Sequence, residues 1–403
     1  MSSATPLSTD DLRSLADAGF DEIVDTRRAV HAQPELSHRE SGTTTLVTAR
    51  LRALGLDELP CPTPTGAVYR LRGGRPGRTV LLRADIDALP LVEEVDVPWR
   101  SRTDGVMHAC GHDGHTAILL GIASMLAARA ESLPGDYVLL FQPAEEDIAD
   151  PGAPHMVRGG VLDVPAPDRM VSLHLATLLA TGLVGARAGT AMSSAQFFRI
   201  ALGGRGGHGS MAGRDGNVVL AVSALSTLLP AVAEGLEYEE IACACSAGLI
   251  RAGQASNVVP RTALLEGTIR TFTAEQRAVT LDRLHDACEQ VARDFSVEVD
   301  AQLPEAVPAV VNDAQAVALW RDACRPLLGE DRVLELPPMP PSDDVSCFLQ
   351  RVPGVHFFVG AAPGARMPPM HHAPDFTIDE ESLRVGALGM AATAIALARP
   401  GSL

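Results

Sequence analysis

The stretch TVLLRADID, residues 79–87, begins with four strand-forming or leucine positions and then stops on Arg83, Asp85 and Asp87. Its apolar part does not alternate with polar residues, so it reads as a strand covered on both faces. Three other stretches repeat the pattern. YVLLFQPAEED (137–147) runs into Glu145 and Glu146, MVSLHL (170–175) carries His174 near its end, and VHFFVGAA (355–362) precedes the pair His371–His372 by a short loop. HTAILLGIASMLAAR (115–129) has helical spacing, with Ile118, Ile122 and Met125 on one side. Apolar strands separated by helical patterns predict an α/β fold, with a mixed, mostly parallel sheet and helices on both faces. Ligands of such sheets bind beyond the carboxyl ends of the strands, where these acidic and histidine residues fall.

The pattern changes between about Gly189 and Gln302. QFFRIAL reads as a strand, NVVLAVSALSTLLPAVAEG as a helix, and ACACSAGLI and TALLEGTIRTF as two strands. AEQRAVTLDRLHDACEQVARDF is a second helix and SVEVDAQL a closing strand. The order β-α-β-β-α-β is that of a ferredoxin-like α+β sandwich. A chain of 403 residues exceeds one ordinary core. The expectation is therefore a catalytic domain made of residues 1–188 and 304–403, with residues 189–303 inserted as a lid or dimerisation domain. Pro304 and Pro308 mark the return, and LPPMPPSDD reads as a surface loop.

Composition narrows the partners. A formal charge of −17 argues against nucleic acid and against an anionic membrane surface. The opening MSSATPLSTDD lacks the basic and apolar regions of a secretory leader, and no apolar run is read as a membrane span. Seven scattered cysteines, an odd count, do not suggest a disulfide framework, and a reducing cytoplasm is expected. A small molecule is the partner that remains.

Cys110 and His112 stand two apart before a helical run, a spacing from which a thiolate and an imidazole can converge on one divalent ion. Alone the pair is a weak signal that a redox thiol or a polar helix entrance explains as well. Glu145 and Glu146 can divide labour, one ligating and the other moving a proton; a solvated acidic loop is the alternative, since Asp147 and Asp150 follow. His174 alone would read as a core histidine. All of them share one edge of one sheet. A cysteine, a glutamate and three histidines there could coordinate two divalent ions that hold a hydroxide and polarise a carbonyl. A neighbouring carboxylate then serves as general base and general acid.

The stretches HAQPELSHRE, RADIDALP, GVMHACGHDGHTAILLGIA, FQPAEE, SLHL, GGRGGHG, ASNVVP, LEGTIRT and HHAPDF occur in the order found in the M20 metallopeptidases. Over nearly the whole chain the sequence resembles the amidohydrolase branch of that family, which includes aminoacylase-like, hippurate hydrolase-like and auxin-conjugate hydrolase-like enzymes. The resemblance implies Cys110, His112, Glu146 and His174 as metal ligands and Glu145 as general acid/base. It implies a last ligand from a His-x-Pro-x-Phe motif. Counting back from Phe376 through Pro374 picks His372, with His371 as the alternative. Asp87 would orient a ligand, and Asp113 has the same possible role. His208 would stand over the substrate carbonyl, reaching from a partner subunit, while Asn257 and Arg270 would contact the substrate.

After His208 the chain departs from the pattern. It reads GSMAGRDGNVV where many relatives have a Pro-His pair and then Asp-Pro. That departure bears on substrate and dimer contacts and leaves the metal centre untouched.

The resemblance thus implies a two-metal amidohydrolase of N-acyl amino acids. It would use zinc or manganese, with cobalt or nickel as alternatives, and form a homodimer through the inserted domain. A carboxypeptidase or dipeptidase is the second reading. A Cys110 nucleophile and a non-catalytic metal-binding protein are more distant ones.

Overall fold

In the computed structural model, which describes residues 7–364 and 368–401, the strand containing TVLLRAD runs from Arg75 to Asp85. It lies inside an eight-stranded sheet whose spatial order is Asp57–Glu58, Ala67–Arg72, Pro134–Gln142, Arg75–Asp85, Arg169–Ala180, Gly354–Ala362, Val184–Ala186 and Val333–Glu335. The central four strands are mutually parallel. Antiparallel pairs occur towards both edges.

Each central strand is covered on both faces, which is why its sequence does not alternate. Leu82, Leu139, Phe141, Val171 and Phe357 point into the main apolar core and are fully buried, each contributing about 1.5–3 kcal/mol. The opposite face carries a buried polar row. Arg83, Ser172 and His356 are register partners across three parallel strands, and Ser172 pairs with His356 Nδ1 at 2.8 Å.

The helix His112–Ala127 is buried on nearly every side, more completely than the one-sided spacing suggests. It lies among the helices Thr9–His31 and Glu381–Ala398 and the strand Arg75–Asp85. Two glycines permit the approach: a Cβ on Gly121 would meet Ile23 Cδ1 at 2.5 Å, and one on Gly114 would meet Leu175 Cδ1 at 2.5 Å. The helix Glu381–Ala398 corrects the reading that no run reaches membrane length, since it is long and apolar enough to cross a membrane. It is 83% buried inside the protein, and a helix apolar all round is what a core position requires.

Residues up to Gly189, Val311–Leu336 and from Asp344 onward make one compact unit; Thr190–Val310 with Pro337–Asp343 makes a second. The second unit thus runs past the expected return at residue 304 and takes in most of LPPMPPSDD. Ala195 and Val307 exchange both backbone hydrogen bonds, and Ser193 N–H donates to the carbonyls of Met339 and Pro341. Prolines marked this segment as irregular but could not show which body it joins.

The second unit is an antiparallel sheet in the order Ala244–Ala252, Thr262–Thr271, Ser194–Gly203, Glu298–Gln302, crossed by the helices Val218–Val232 and Ala274–Phe295. Along the chain this is the expected β-α-β-β-α-β order. Asn217 caps the first helix and a Thr273–Gln276 capping box starts the second. Phe198, Ile200, Leu202, Leu265 and Ile269 face the helices, while Arg199 and Ala201 between them are exposed, as the period of two demands.

Candidate metal centre

Four chain segments deliver side chains to one end of the large sheet. Gly111 adopts a left-handed φ of 94°, turning the chain so that buried Cys110 and His112 flank the helix start. Ala144, at φ 55°, makes the corresponding turn before Glu145 and Glu146. His174 comes from the strand Arg169–Ala180. His372, at φ 63°, ends the set, and its backbone N–H donates to the Ala109 carbonyl at 2.8 Å, beside Cys110.

The ligand atoms fall into two groups that share one atom. Cys110, His112 and His174 place Sγ and two imidazole nitrogens within 4.8 Å of one another, and Cys110, Glu146 and His372 do the same. Cys110 Sγ lies 3.6 Å from His174 Nε2, and His372 Nε2 lies 3.1 Å from Glu146 Oε1. Glu145 sits beside both groups, its Oε2 3.9 Å from His112 Nε2. His371 also comes within 3.7 Å of Cys110 Sγ through Nδ1, but its other nitrogen accepts the Thr177 N–H at 3.4 Å. His372, not His371, completes the group with Glu146.

Neighbouring hydrogen bonds set the imidazole tautomers. His112 Nδ1 faces the carbonyl and Oδ1 of Asp87 at 3.0 and 3.3 Å, and His174 Nδ1 faces the Leu175 carbonyl at 2.8 Å. Both rings therefore carry hydrogen on Nδ1 and turn Nε2 towards the centre, the nitrogen that a metal would take. Asp87 also accepts the Glu146 N–H at 2.9 Å and the Ser37 hydroxyl at 2.7 Å, so one carboxylate orients two candidate ligands.

The donor set fits a divalent cation on two observations. His112 Nε2 is buried with no hydrogen-bond partner among the described residues, and buried Glu146 Oε1 faces two imidazole nitrogens, His372 Nε2 at 3.1 Å and His112 Nε2 at 3.9 Å. Leaving a buried nitrogen unpaired is costly, and a cation is the partner that this nitrogen and this oxygen can share. Electrostatics agrees. Burial, then the Glu146 charge, pushes the Cys110 thiol well above its ordinary pKa. Burial works against a charged His112, yet the Asp85 carboxylate outweighs it and raises its pKa well above the usual value. The pocket favours positive charge, and a divalent ion there would hold Cys110 as the thiolate.

Residues 81–396 match the peptidase family M20/M25/M40. The chain belongs to that family. It is 34% identical to thermostable carboxypeptidase 2 of Saccharolobus solfataricus, over 93% of this chain and 95% of the relative. It is 33% identical to an N-acetyl-L-cysteine deacetylase of Bacillus subtilis, over 90% and 85%. Among solved structures, a putative aminohydrolase from methicillin-resistant Staphylococcus aureus superposes with a TM-score of 0.87 at 28% identity, covering 97% of this chain and all of that one. A Bacillus subtilis dinuclear metal binding peptidase from the M20 family gives 0.78 at 29% identity, covering 94% and 98%. This M20-family chain is accordingly a hydrolase, with divalent metals as the cofactor its relatives suggest.

In the second unit, His208 pairs with Val258 in a short antiparallel ladder, and the Asn257 carbonyl accepts the Gly209 N–H at 2.8 Å. These two residues are brought together. The Ser210 N–H points at His208 Nδ1 at 3.2 Å, which leaves Nε2 as the ring's donor. Arg270 lies elsewhere, opposite Ala195, with its guanidinium donating to the Ser342 hydroxyl.

Sequence reasoning missed Glu40. Its buried carboxylate accepts the Ala144 N–H at 2.8 Å and the Thr65 hydroxyl at 2.7 Å, so it braces the turn that presents Glu145. The only signal for it was its place in HAQPELSHRE. Among the described residues Asp113 has no hydrogen bond to a candidate ligand. It pairs with Arg27 at 2.7 Å and His31 at 2.8 Å, tying two helices together.

Proposed function

We propose that this M20-family hydrolase is a two-metal amidohydrolase that cleaves the amide bond of N-acyl amino acids. The observation that carries the reading is the pair of ligand groups meeting at Cys110 with Glu145 beside them. Cys110, His112 and His174 would hold one ion, and Cys110, Glu146 and His372 the other. Two divalent ions there would polarise the amide carbonyl and acidify a water molecule. Thiolate and imidazole donors favour zinc, the carboxylate tolerates manganese, and cobalt or nickel can substitute. Glu145 takes the proton of the attacking water and passes it to the departing amine.

The resemblance adds His208 as a hydrogen-bond donor to the substrate carbonyl oxygen, with Asn257 and Arg270 as substrate contacts. Within the second unit Arg270 stands at the far end of its strand from Thr262, roughly 26 Å away at ~3.3 Å per residue. His208 and Asn257 lie beyond the Thr262 end. That separation supports a homodimer in which one chain's His208 serves its partner. Mixing His208→Ala with Glu145→Gln subunits should then restore activity that neither has alone. No recovery in a demonstrated mixed dimer would refute the exchange. A cytoplasmic location belongs to the same reading, supported by seven cysteines that form no disulfide among the described residues.

The carboxypeptidase among the relatives favours a second reading, with short peptides as substrates. Both substrate classes present an amide next to a carboxylate-bearing residue. A hydrolysis panel of N-acetyl, N-benzoyl and N-fatty-acyl amino acids beside dipeptides separates them. Higher kcat/KM on N-acyl amino acids is expected; cleavage of the dipeptides alone would reverse the assignment.

A further inference from the structure

Beneath the candidate ligands lies a buried chain of hydrogen bonds that touches no proposed substrate group. Arg83 NH1 donates to Asp85 Oδ2 at 2.6 Å, and Asp85 Oδ1 meets His115 Nδ1 at 2.5 Å. His115 Nε2 accepts the Leu175 backbone N–H at 2.9 Å, and the Leu175 carbonyl faces His174 Nδ1 at 2.8 Å. Arg83 is held in turn by Gln142 Oε1 at 2.7 Å and by Asp344 Oδ1 at 3.1 Å. Arg83, Asp85, His115 and Leu175 are all 2% exposed or less.

The donors fix the protonation. A backbone N–H can only donate, so His115 Nε2 carries no hydrogen, and the ring proton sits on Nδ1 facing Asp85. Asp85, His112 and His115 lie close enough to suggest a third metal-binding group. His115 cannot join one, because one nitrogen is taken by Leu175 and the other by Asp85. What the ring does hold is the Leu175 backbone, whose N–H donates to His115 Nε2 and whose carbonyl faces His174 Nδ1. A buried ion pair such as Arg83–Asp85 gives little stability beyond what apolar packing would give, so stability alone does not explain the arrangement.

We infer that His115 is a positioning residue for the metal ligand His174. Acting through the Leu175 backbone, and held in one tautomer by Asp85 and Arg83, it keeps His174 Nε2 aimed at the ion shared with Cys110 and His112. The inference rests on the metal-centre reading above.

Two substitutions separate the two bonds of the ring. In His115→Asn, Nδ2 can take the place of Nδ1 and donate to Asp85, but the side chain is too short to reach Leu175. In His115→Gln, Oε1 can take the place of Nε2 and accept the Leu175 N–H, giving up Asp85. Metal-free protein is titrated with Co²⁺ and followed by the visible thiolate-to-cobalt and d–d bands, with circular dichroism checking the fold. Wild type should take up two ions. His115→Asn should bind one of them about 10–100-fold more weakly and the other, in the group with Glu146 and His372, unchanged. His115→Gln should recover most of that loss. Two cobalt ions bound equally well and with the same spectrum by wild type and His115→Asn would overturn this inference alone, as would equal losses in both variants. A wild-type protein that takes up no cobalt would overturn the metal-centre reading and this inference with it.

Discussion

Glu145→Gln should lower kcat by about 10²- to 10⁴-fold while both metal ions stay bound and KM stays close to wild type. The side chain belongs to neither ligand group built on Cys110, yet it lies 3.9 Å from His112 Nε2 and is partly open, with 13% of its surface exposed. A carboxylate there can accept a proton from water and release it towards a leaving nitrogen. Glutamine keeps the shape and removes the basicity, so the loss should fall on the chemical step rather than on binding. Steady-state kinetics with metal analysis of the same preparation decides the matter. Loss of an ion together with activity would make Glu145 a ligand, a real alternative because His112, Glu145 and Glu146 also cluster within 4.8 Å.

Removing the ions should abolish turnover, and adding back single divalent metals should restore it. The shared sulfur makes a sharper form of the same experiment. Cys110→Ala deletes a donor from both groups and should weaken both ions, whereas His372→Ala should weaken only the ion held with Glu146. Metal stoichiometry of the two variants by elemental analysis reports the difference. Full turnover by chelated protein would end the two-metal reading and reopen the case for Cys110 as a nucleophile. Burial already weighs against that case, because it raises the thiol pKa where a nucleophilic cysteine needs it lowered.

The parts of the molecule readable from sequence are those whose signal is local. The central strands announce themselves because burial on two faces removes alternation, and Ala274–Phe295 because its apolar period and capping box agree. Candidate ligands are readable as polar residues at the ends of such strands. What escapes is whatever depends on a distant partner. Glu40 matters because Ala144 folds onto it, and His115 because Asp85 and Leu175 close on its two nitrogens. The choice of His372 over His371 comes only from the resemblance to a His-x-Pro-x-Phe motif; the residue types themselves do not distinguish two adjacent histidines, which in the structure face different neighbours. Likewise, Arg270 and His208 sit in two motifs of the same inserted unit, and only the strand register reveals how far apart they are.

The insertion of the second unit also has a consequence for synthesis. Cys110, His112 and His174 leave the ribosome within one continuous segment, but Glu146 waits for His372, about 200 residues after His174. At translation rates of ~5–20 residues per second that interval lasts roughly 10–40 s. For nearly all of it, the strand Arg169–Ala180 lacks its parallel neighbour Gly354–Ala362, so a long apolar edge stands open beside a half-built set of thiol and imidazole donors. The nascent chain is therefore most vulnerable to misassociation, and to capture of a stray metal, while the inserted unit is being made.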